Sequence, residues 1–181
     1  MVVITYLDMF IFITIVWVLL RLYFAIRGKS FDIKNELKLL LVYICIVVVA
    51  RFVYFPLGLD NGHIKPLVFD SRRVFPIWYN FVPIVHMFDD YDGWLINIIG
   101  NITMFIPVGI CWPICFKKLD KIWKAILAVF GFTLFIEISQ ILFFDRCSDI
   151  DDLIMNGTGG VIGVLIYFGI KKATYLLKKE K

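Results

Sequence analysis

The sequence predicts an all-α, polytopic integral membrane bundle of about five transmembrane helices, with the amino terminus outside and the carboxyl terminus inside. Three observations predict it. Of 181 residues, 61% are hydrophobic and 19% charged, whereas soluble domains are roughly half apolar and a quarter charged. The apolar residues fall into runs of the length a bilayer requires. Lys and Arg collect in alternate connections between those runs.

A helix rising about 1.5 Å per residue needs about 20 mostly apolar residues to cross a hydrocarbon core of about 30 Å. Five stretches meet or approach that length: Ile4 to Ile26, Leu39 to Leu57, Trp94 to Phe116, Ala125 to Phe144 and Leu153 to Ile170, the last being the shortest. The first lacks the basic start and small-residue cleavage site of a signal peptide and reads as a retained span. The length suits a single membrane domain over residues 1–181, without a separate soluble one.

Orientation follows from the basic residues, which resist translocation more than carboxylates do. Arg27, Lys29, Lys34 and Lys38 mark the first connection, Lys117, Lys118, Lys121 and Lys124 the third, and Lys171, Lys172, Lys178, Lys179 and Lys181 the tail. The opposite side holds only Lys65, Arg72, Arg73 and Arg146, with Asp60, Asp70, Asp89, Asp90, Asp92, Asp145, Asp149, Asp151 and Asp152. The net charge of +4 is therefore a topology signal and not a nucleic-acid patch.

The outward connection from Gly58 to Gly93 is too long for a turn. It carries Phe69, Phe75, Trp78, Tyr79, Phe81, Phe88 and Tyr91, so part of it is expected along the headgroup layer. Pro66, Pro76 and Pro83 exclude one continuous helix there.

A polar side chain within a span is costly unless paired or wetted, so each one calls for an explanation. Measured from the outer ends of the expected spans, Arg51 lies about 9 Å deep, Asn97 and Asn101 about 5 and 10 Å, Glu137 and Gln140 about 10 and 6 Å, and Asn156 about 5 Å. Asp8 enters at a similar level. The inner halves hold little comparable except Arg21, which can snorkel to the interface. Asn97 and Asn101 are spaced i, i+4, and Glu137 and Gln140 i, i+3, so each pair can face a common interior. Arg51 is the expected partner of Glu137. Helix-to-helix glue explains any one of these residues equally well. Their confinement to one leaflet favours an outward polar recess.

Arg146 to Asp152 begins the fifth span and places Asp149, Asp151 and Asp152 within four residues. Carboxylates there suit the helix dipole and can cap exposed N–H groups. They could equally receive a cation or a basic ligand group, or serve with Glu137 as acid and base. Pro107 removes a bond to the Thr103 carbonyl and is expected to kink or weaken the third span, with Pro113 doing the same lower down. Gly159 and Gly163 have the spacing of close helix contact, supported by Gly157 and Gly160. Cys45, Cys111, Cys115 and Cys147 imply no disulfide framework. Together with His63 and His86 they have no metal-ligand spacing, and no cofactor is implied.

Taken in order, these motifs resemble the VanZ-like family of bacterial membrane proteins. Asn80-Phe81-Val82-Pro83-Ile84 is similar to its Asn-Pro segment, and Asn97, Asn101, Phe105, Pro107 and Gly109 to its Asn-containing Phe-x-Pro-x-Gly helix. Glu137 and Gln140 match its Glu-x-x-Gln pair. Arg146, Asp149, Asp151, Asp152, Asn156, Gly159, Gly160 and Gly163 match its closing motif. The resemblance spans about residues 80–169. It implies a multi-pass bacterial cell-membrane protein, some relatives of which lower susceptibility to teicoplanin-type lipoglycopeptides.

Binding of a lipid headgroup, a lipid-linked cell-wall precursor or a lipoglycopeptide is thus the first expectation, through Arg51, Asn80, Asn97, Asn101, Glu137, Gln140, Arg146, Asp149, Asp152 and Asn156. The alternative is a membrane-embedded hydrolase or transferase using Glu137 with Asp149, Asp151 or Asp152. No activated Ser, Cys or His nucleophile accompanies those carboxylates, so binding is preferred. A transporter lacks support, because no internal repeat is present.

Overall fold

In hydrocarbon each backbone group must be satisfied within its own segment, so long apolar runs become helices. The computed structural model describes residues 1–27, 32–55, 59–60, 62–69, 79–83, 94–144 and 146–179. Among these are five helices long and apolar enough to cross a membrane: α1 (Tyr6–Ile26), α2 (Ile33–Tyr54), α3 (Trp94–Cys115), α4 (Ile122–Gln140) and α5 (Ile150–Lys179). The chain divides into two compact units, one of Met1–Trp78 with Ser139–Cys147, the other of Tyr79–Ile138 with Ser148–Lys181.

In the first unit the helix ends depart from the expected spans for local reasons. Ile4 belongs to a strand, β1 (Val2–Ile4), and α1 starts only after Thr5. Thr5 and Asp8 close a capping box, with Asp8 N–H on Thr5 Oγ1 at 3.2 Å and Thr5 N–H on Asp8 Oδ2 at 2.8 Å. Asp8 is therefore an exposed cap and not a member of a polar layer. At α2 the Asp32 side chain accepts from Lys34 N–H at 3.1 Å, which draws the charged residues before Leu39 into the helix. The helix stops at Tyr54 because Phe55, which precedes Pro56, is extended.

Three contacts along their length hold α1 and α2 as an antiparallel pair. The Tyr6 ring meets Phe55 edge-on with centroids 5.6 Å apart, the Thr14 and Tyr43 hydroxyls bond at 2.8 Å, and Arg21 forms an ion pair with Glu36. Arg21, expected to snorkel to the cytoplasmic interface, meets Glu36 in the first turn of α2. A carboxylate on the next helix neutralises it where it stands. Changing Arg21 to Met leaves the Glu36 charge unmatched and is expected to cost about 1 kcal/mol. The Arg21→Met/Glu36→Met pair should unfold in detergent at a higher temperature than Arg21→Met alone, because it removes that charge too.

Short strands follow α2. β2 (Leu59–Asp60) and β3 (His63–Ile64) form a hairpin. Gly62 turns it at φ +79°, a backbone conformation that side chains disfavour. β4 (Leu67–Phe69) pairs antiparallel with β1, and Val68 O accepts from Phe144 N–H at 2.9 Å. Strands of two or three residues have no periodicity to read, so the sequence did not reveal them. Phe75, Pro76, Trp78, His86, Phe88 and Tyr91 lie outside the described residues.

The second unit is built on α3, α4 and α5. Phe105, Val108, Val129 and Val164 are fully buried at its centre, and Phe132 packs on Phe105 and Trp112 with centroids 5.9 and 5.0 Å away. α3 and α5 run in the same sense and approach backbone to backbone. A Cβ on Gly159 would strike the Ile102 carbonyl, one on Gly163 the Ile106 carbonyl, and one on Gly109 the Gly160 carbonyl. The glycine spacing therefore does the packing expected of it, and Gly109 is its counterpart across the seam. α3 runs unbroken through Pro107 and Pro113. α5, expected to be the shortest span, is the longest helix at 30 residues, since the lysines after Ile170 continue it.

Candidate functional site

The polar residues picked out from the sequence divide between the two units, and their work differs. In the first unit three of them end α2. The last carbonyls of a helix have no intrahelical donor and carry the negative end of its dipole. Gln140 Nε2 donates to Val53 O at 3.3 Å, Arg146 donates to Tyr54 O, and Arg51 Nη1 donates to Phe55 O at 3.1 Å. The Arg51 guanidinium also lies over the Tyr6 and Phe52 rings, 5.6 and 5.5 Å from their centroids.

Because α2 stops short of Leu57, Arg51 falls in its last turn, closer to the helix end than the about 9 Å expected. Its contacts within this unit are with its own helix end and those rings; its expected partner Glu137 belongs to the other unit. Tyr54 OH bonds Ser139 Oγ, and the Tyr54 ring meets Phe143 edge-on. Neither Tyr54 nor Ser139 stood out in the sequence, where a hydroxyl in an apolar run carries little signal.

In the second unit the polar residues gather where α5 begins. β5 (Tyr79–Asn80) runs parallel to β6 (Ser148–Asp149), with Asn80 opposite Asp149. β6 leads directly into α5, so Asp149 occupies the helix-capping position. Its Oδ1 accepts from Asp151 N–H at 2.9 Å, the bond of an N-cap, and from Asn80 Nδ2 at 3.2 Å. Asn80 Oδ1 in turn accepts from Val82 N–H at 3.2 Å.

Glu137 reaches this helix start from α4. Its Oε2 accepts from Asp149 N–H at 2.9 Å. From α3, Asn101 Nδ2 donates to Asp152 Oδ1 at 2.7 Å and has a longer, 3.5 Å approach to Asn97 Oδ1. Asn97 itself is exposed, so the two amides do not both point inward as expected. One turn below, Asn156 Nδ2 donates to Thr133 Oγ1 at 3.1 Å, both residues being buried. Thr133 was missed in the sequence, although it lies four residues before Glu137 on the same face of α4 and could have been found by extending that face.

Four carboxylates and three amides from β5, α3, α4, β6 and α5 thus converge on one helix N-terminus. Glu137 and Asn156 are 4% and 1% exposed, and Glu137 Oε1 and Asn156 Oδ1 have no hydrogen-bond partner. Enclosed acceptors in that condition are rare in folded proteins. Glu137 and Gln140, expected to act as a pair, serve different clusters. Among the described residues no three His, Cys, Asp or Glu side chains are placed to hold one metal ion.

Five helices long and apolar enough to cross a membrane fit a multi-pass membrane protein, and in its second unit an acidic, amide-rich cluster gathers at the start of α5. The chain matches the VanZ/LLP1 family over residues 40–172 and belongs to that family. The match begins within α2, well before the motifs that carry the resemblance. Neither a search of curated proteins nor one of solved structures yields a match.

Proposed function

We propose that the chain is a bacterial cell-membrane protein that binds a lipid headgroup, a lipid-linked cell-wall precursor or a lipoglycopeptide at the start of α5. By doing so it contributes to teicoplanin-type glycopeptide resistance or to envelope homeostasis. The observation that carries this reading is Glu137, a carboxylate enclosed within the bundle with one oxygen unengaged. Beside it, Asp149 and Asp152 are held in place by the amides of Asn80 and Asn101.

The one-sided distribution of Lys and Arg supports an outward position for this helix start, since the basic connection between α3 and α4 and the basic tail belong at the other end. The VanZ/LLP1 assignment supports the link to glycopeptide resistance. A saturable binding isotherm for at least one of the three ligand classes is the expected result with purified protein in nanodiscs. Glu137→Ala should weaken that binding and restore teicoplanin susceptibility. No binding to any class, together with unchanged susceptibility in Glu137→Ala, would refute the reading.

Catalysis on a lipid or wall precursor draws on one observation, the closeness of Glu137 to the Asp149 backbone. Asp149 is occupied as a helix cap, however, which leaves binding the better supported role. Altered precursor composition in a deletion strain, restored by wild type but not by Asp152→Asn, would favour catalysis instead.

A further inference from the structure

The end of the second unit opposite the start of α5 is basic. Residues 116–125 and 171–181 hold nine lysines, at 117, 118, 121, 124, 171, 172, 178, 179 and 181, against Asp120 and Glu180. Among the described residues these lysines make one ion pair, Lys124 with Asp120 at 2.6 Å. Lys124 also lies over the Trp123 ring, and Lys171 over those of Tyr167 and Phe168, 5.9, 5.9 and 5.7 Å from the centroids. Trp and Tyr favour the headgroup level, which places the charge there too.

α5 overruns its neighbour at this end. A Cβ on Gly159 would meet Ile102 and one on Gly163 would meet Ile106, so the two helices keep step, and Cys115 at the end of α3 falls level with about Lys172. α5 continues to Lys179, about 10 Å further. Seven residues are close to two turns, so a side chain seven further on keeps nearly the same face. Lys171 and Lys178 thereby continue the line of Val164, which is fully buried in the bundle, and Lys172 and Lys179 that of Leu165, which is exposed. Beside them the exposed apolar line of Ile162 runs on through Gly169 to Leu176, and that of Ile166 to Ala173.

A topology signal requires lysines only in number. It does not require their sorting by face, beside an apolar line that persists past the end of α3. That sorting suits an amphiphile, with acyl chains along Ile162, Leu165 and Ile166 and an anionic headgroup at the level of Lys172. The lysines need not close on one phosphate together, because each attracts headgroups within about a Debye length, about 8–10 Å. An acidic soluble partner would match the charge but not the exposed side chains of Leu176 and Leu177.

We propose that this end of the unit binds anionic phospholipid in the leaflet it faces, through the lysine-bearing last turns of α5 and the apolar line beside them. This contact is separate from the ligand reading at the start of α5 and stands or falls without it.

The test uses the full chain in phosphatidylcholine vesicles at low ionic strength, with spin-labelled phosphatidylglycerol or spin-labelled phosphatidylcholine as the probe. The immobilised fraction in the paramagnetic resonance spectrum reports how strongly each associates. Phosphatidylglycerol should associate about threefold or more strongly than phosphatidylcholine. Lys171→Gln/Lys172→Gln/Lys178→Gln/Lys179→Gln should bring the ratio close to one, and since all four side chains are exposed the change disturbs no packing. Lys34→Gln/Lys38→Gln, in the first unit, should leave most of the preference. Equal association of the two lipids with the wild-type chain would overturn the proposal and leave the lysines to topology or to an acidic protein. A preference that survives the fourfold change in a folded protein, or that falls as far in Lys34→Gln/Lys38→Gln, would overturn it as well. Lys172→Gln/Lys179→Gln provides a milder variant should the fourfold one misfold: the preference should fall by about half, and an unaltered ratio there would equally contradict the proposal.

Discussion

Alanine at Gly163 is expected to lower the stability of the protein by about 1–3 kcal/mol, the range for forcing extra volume into a packed interior. The obstacle at that position is backbone. The added methyl would meet the Ile106 carbonyl of α3, and the same change at Gly159 would meet the Ile102 carbonyl. A helix carbonyl cannot swing aside as a side chain can, so α3 and α5 would have to separate. The Gly159→Ala/Gly163→Ala pair should therefore unfold at a distinctly lower temperature in detergent than either single variant. Gly100 and Gly131 supply the control, because nothing lies within 4 Å of a Cβ at either position. Alanine there should be neutral, or stabilising by up to about 1 kcal/mol through helix propensity. Equal midpoints for Gly163→Ala and Gly131→Ala would mean that the α3–α5 seam is not closed by glycine.

Asp149→Ala should be comparably damaging, for a different reason. The substitution removes the cap on Asp151 N–H, worth about 0.5–2 kcal/mol. It also removes the acceptor for Asn80, worth about 0.5–1.5 kcal/mol. The first turn of α5 should fray and β5 should loosen from β6, which accelerated hydrogen exchange at residues 149–152 and at Asn80 would register. Asp149→Asn keeps a side-chain oxygen in the capping position and should retain most of the protection. If the asparagine variant exchanged as fast as the alanine variant, Asp149 would be acting through its charge and not as a cap.

These expectations depend on features that were unequally legible in the sequence. Span number followed from length and hydropathy alone, because hydrocarbon leaves a chain few alternatives. The glycine seam was readable as a spacing, although its partner carbonyls on α3 were not. Helix ends were harder, since a cap such as Thr5 or Asp32 acts through one local bond that composition does not weigh. The ending of α2 at Tyr54 had the largest consequence. It made Arg51 a cap on its own helix, and Gln140 and Arg146 joined it there.

The candidate site was half visible. Glu137, Asn101, Asp149, Asp152 and Asn156 were all singled out, and each contributes to the start of α5. Asn80 was picked out only through family resemblance and its link to Asp149 was not foreseen, because a two-residue parallel pairing between strands so far apart in the chain leaves no local pattern. Thr133 was overlooked because threonine passes unremarked in an apolar helix, where its hydroxyl commonly returns to its own backbone.

The account requires the start of α5 to open on the outer face of the membrane, and Cys147 reports on that directly. It carries an exposed thiol immediately before β6, whereas Cys45 is buried and Cys111 and Cys115 are half-buried within α3. In a chain with Cys45, Cys111 and Cys115 replaced by alanine, a membrane-impermeant maleimide should label Cys147 in intact cells as fully as after permeabilisation. Labelling that appears only once the membrane is breached would put the cluster on the cytoplasmic side and contradict the account.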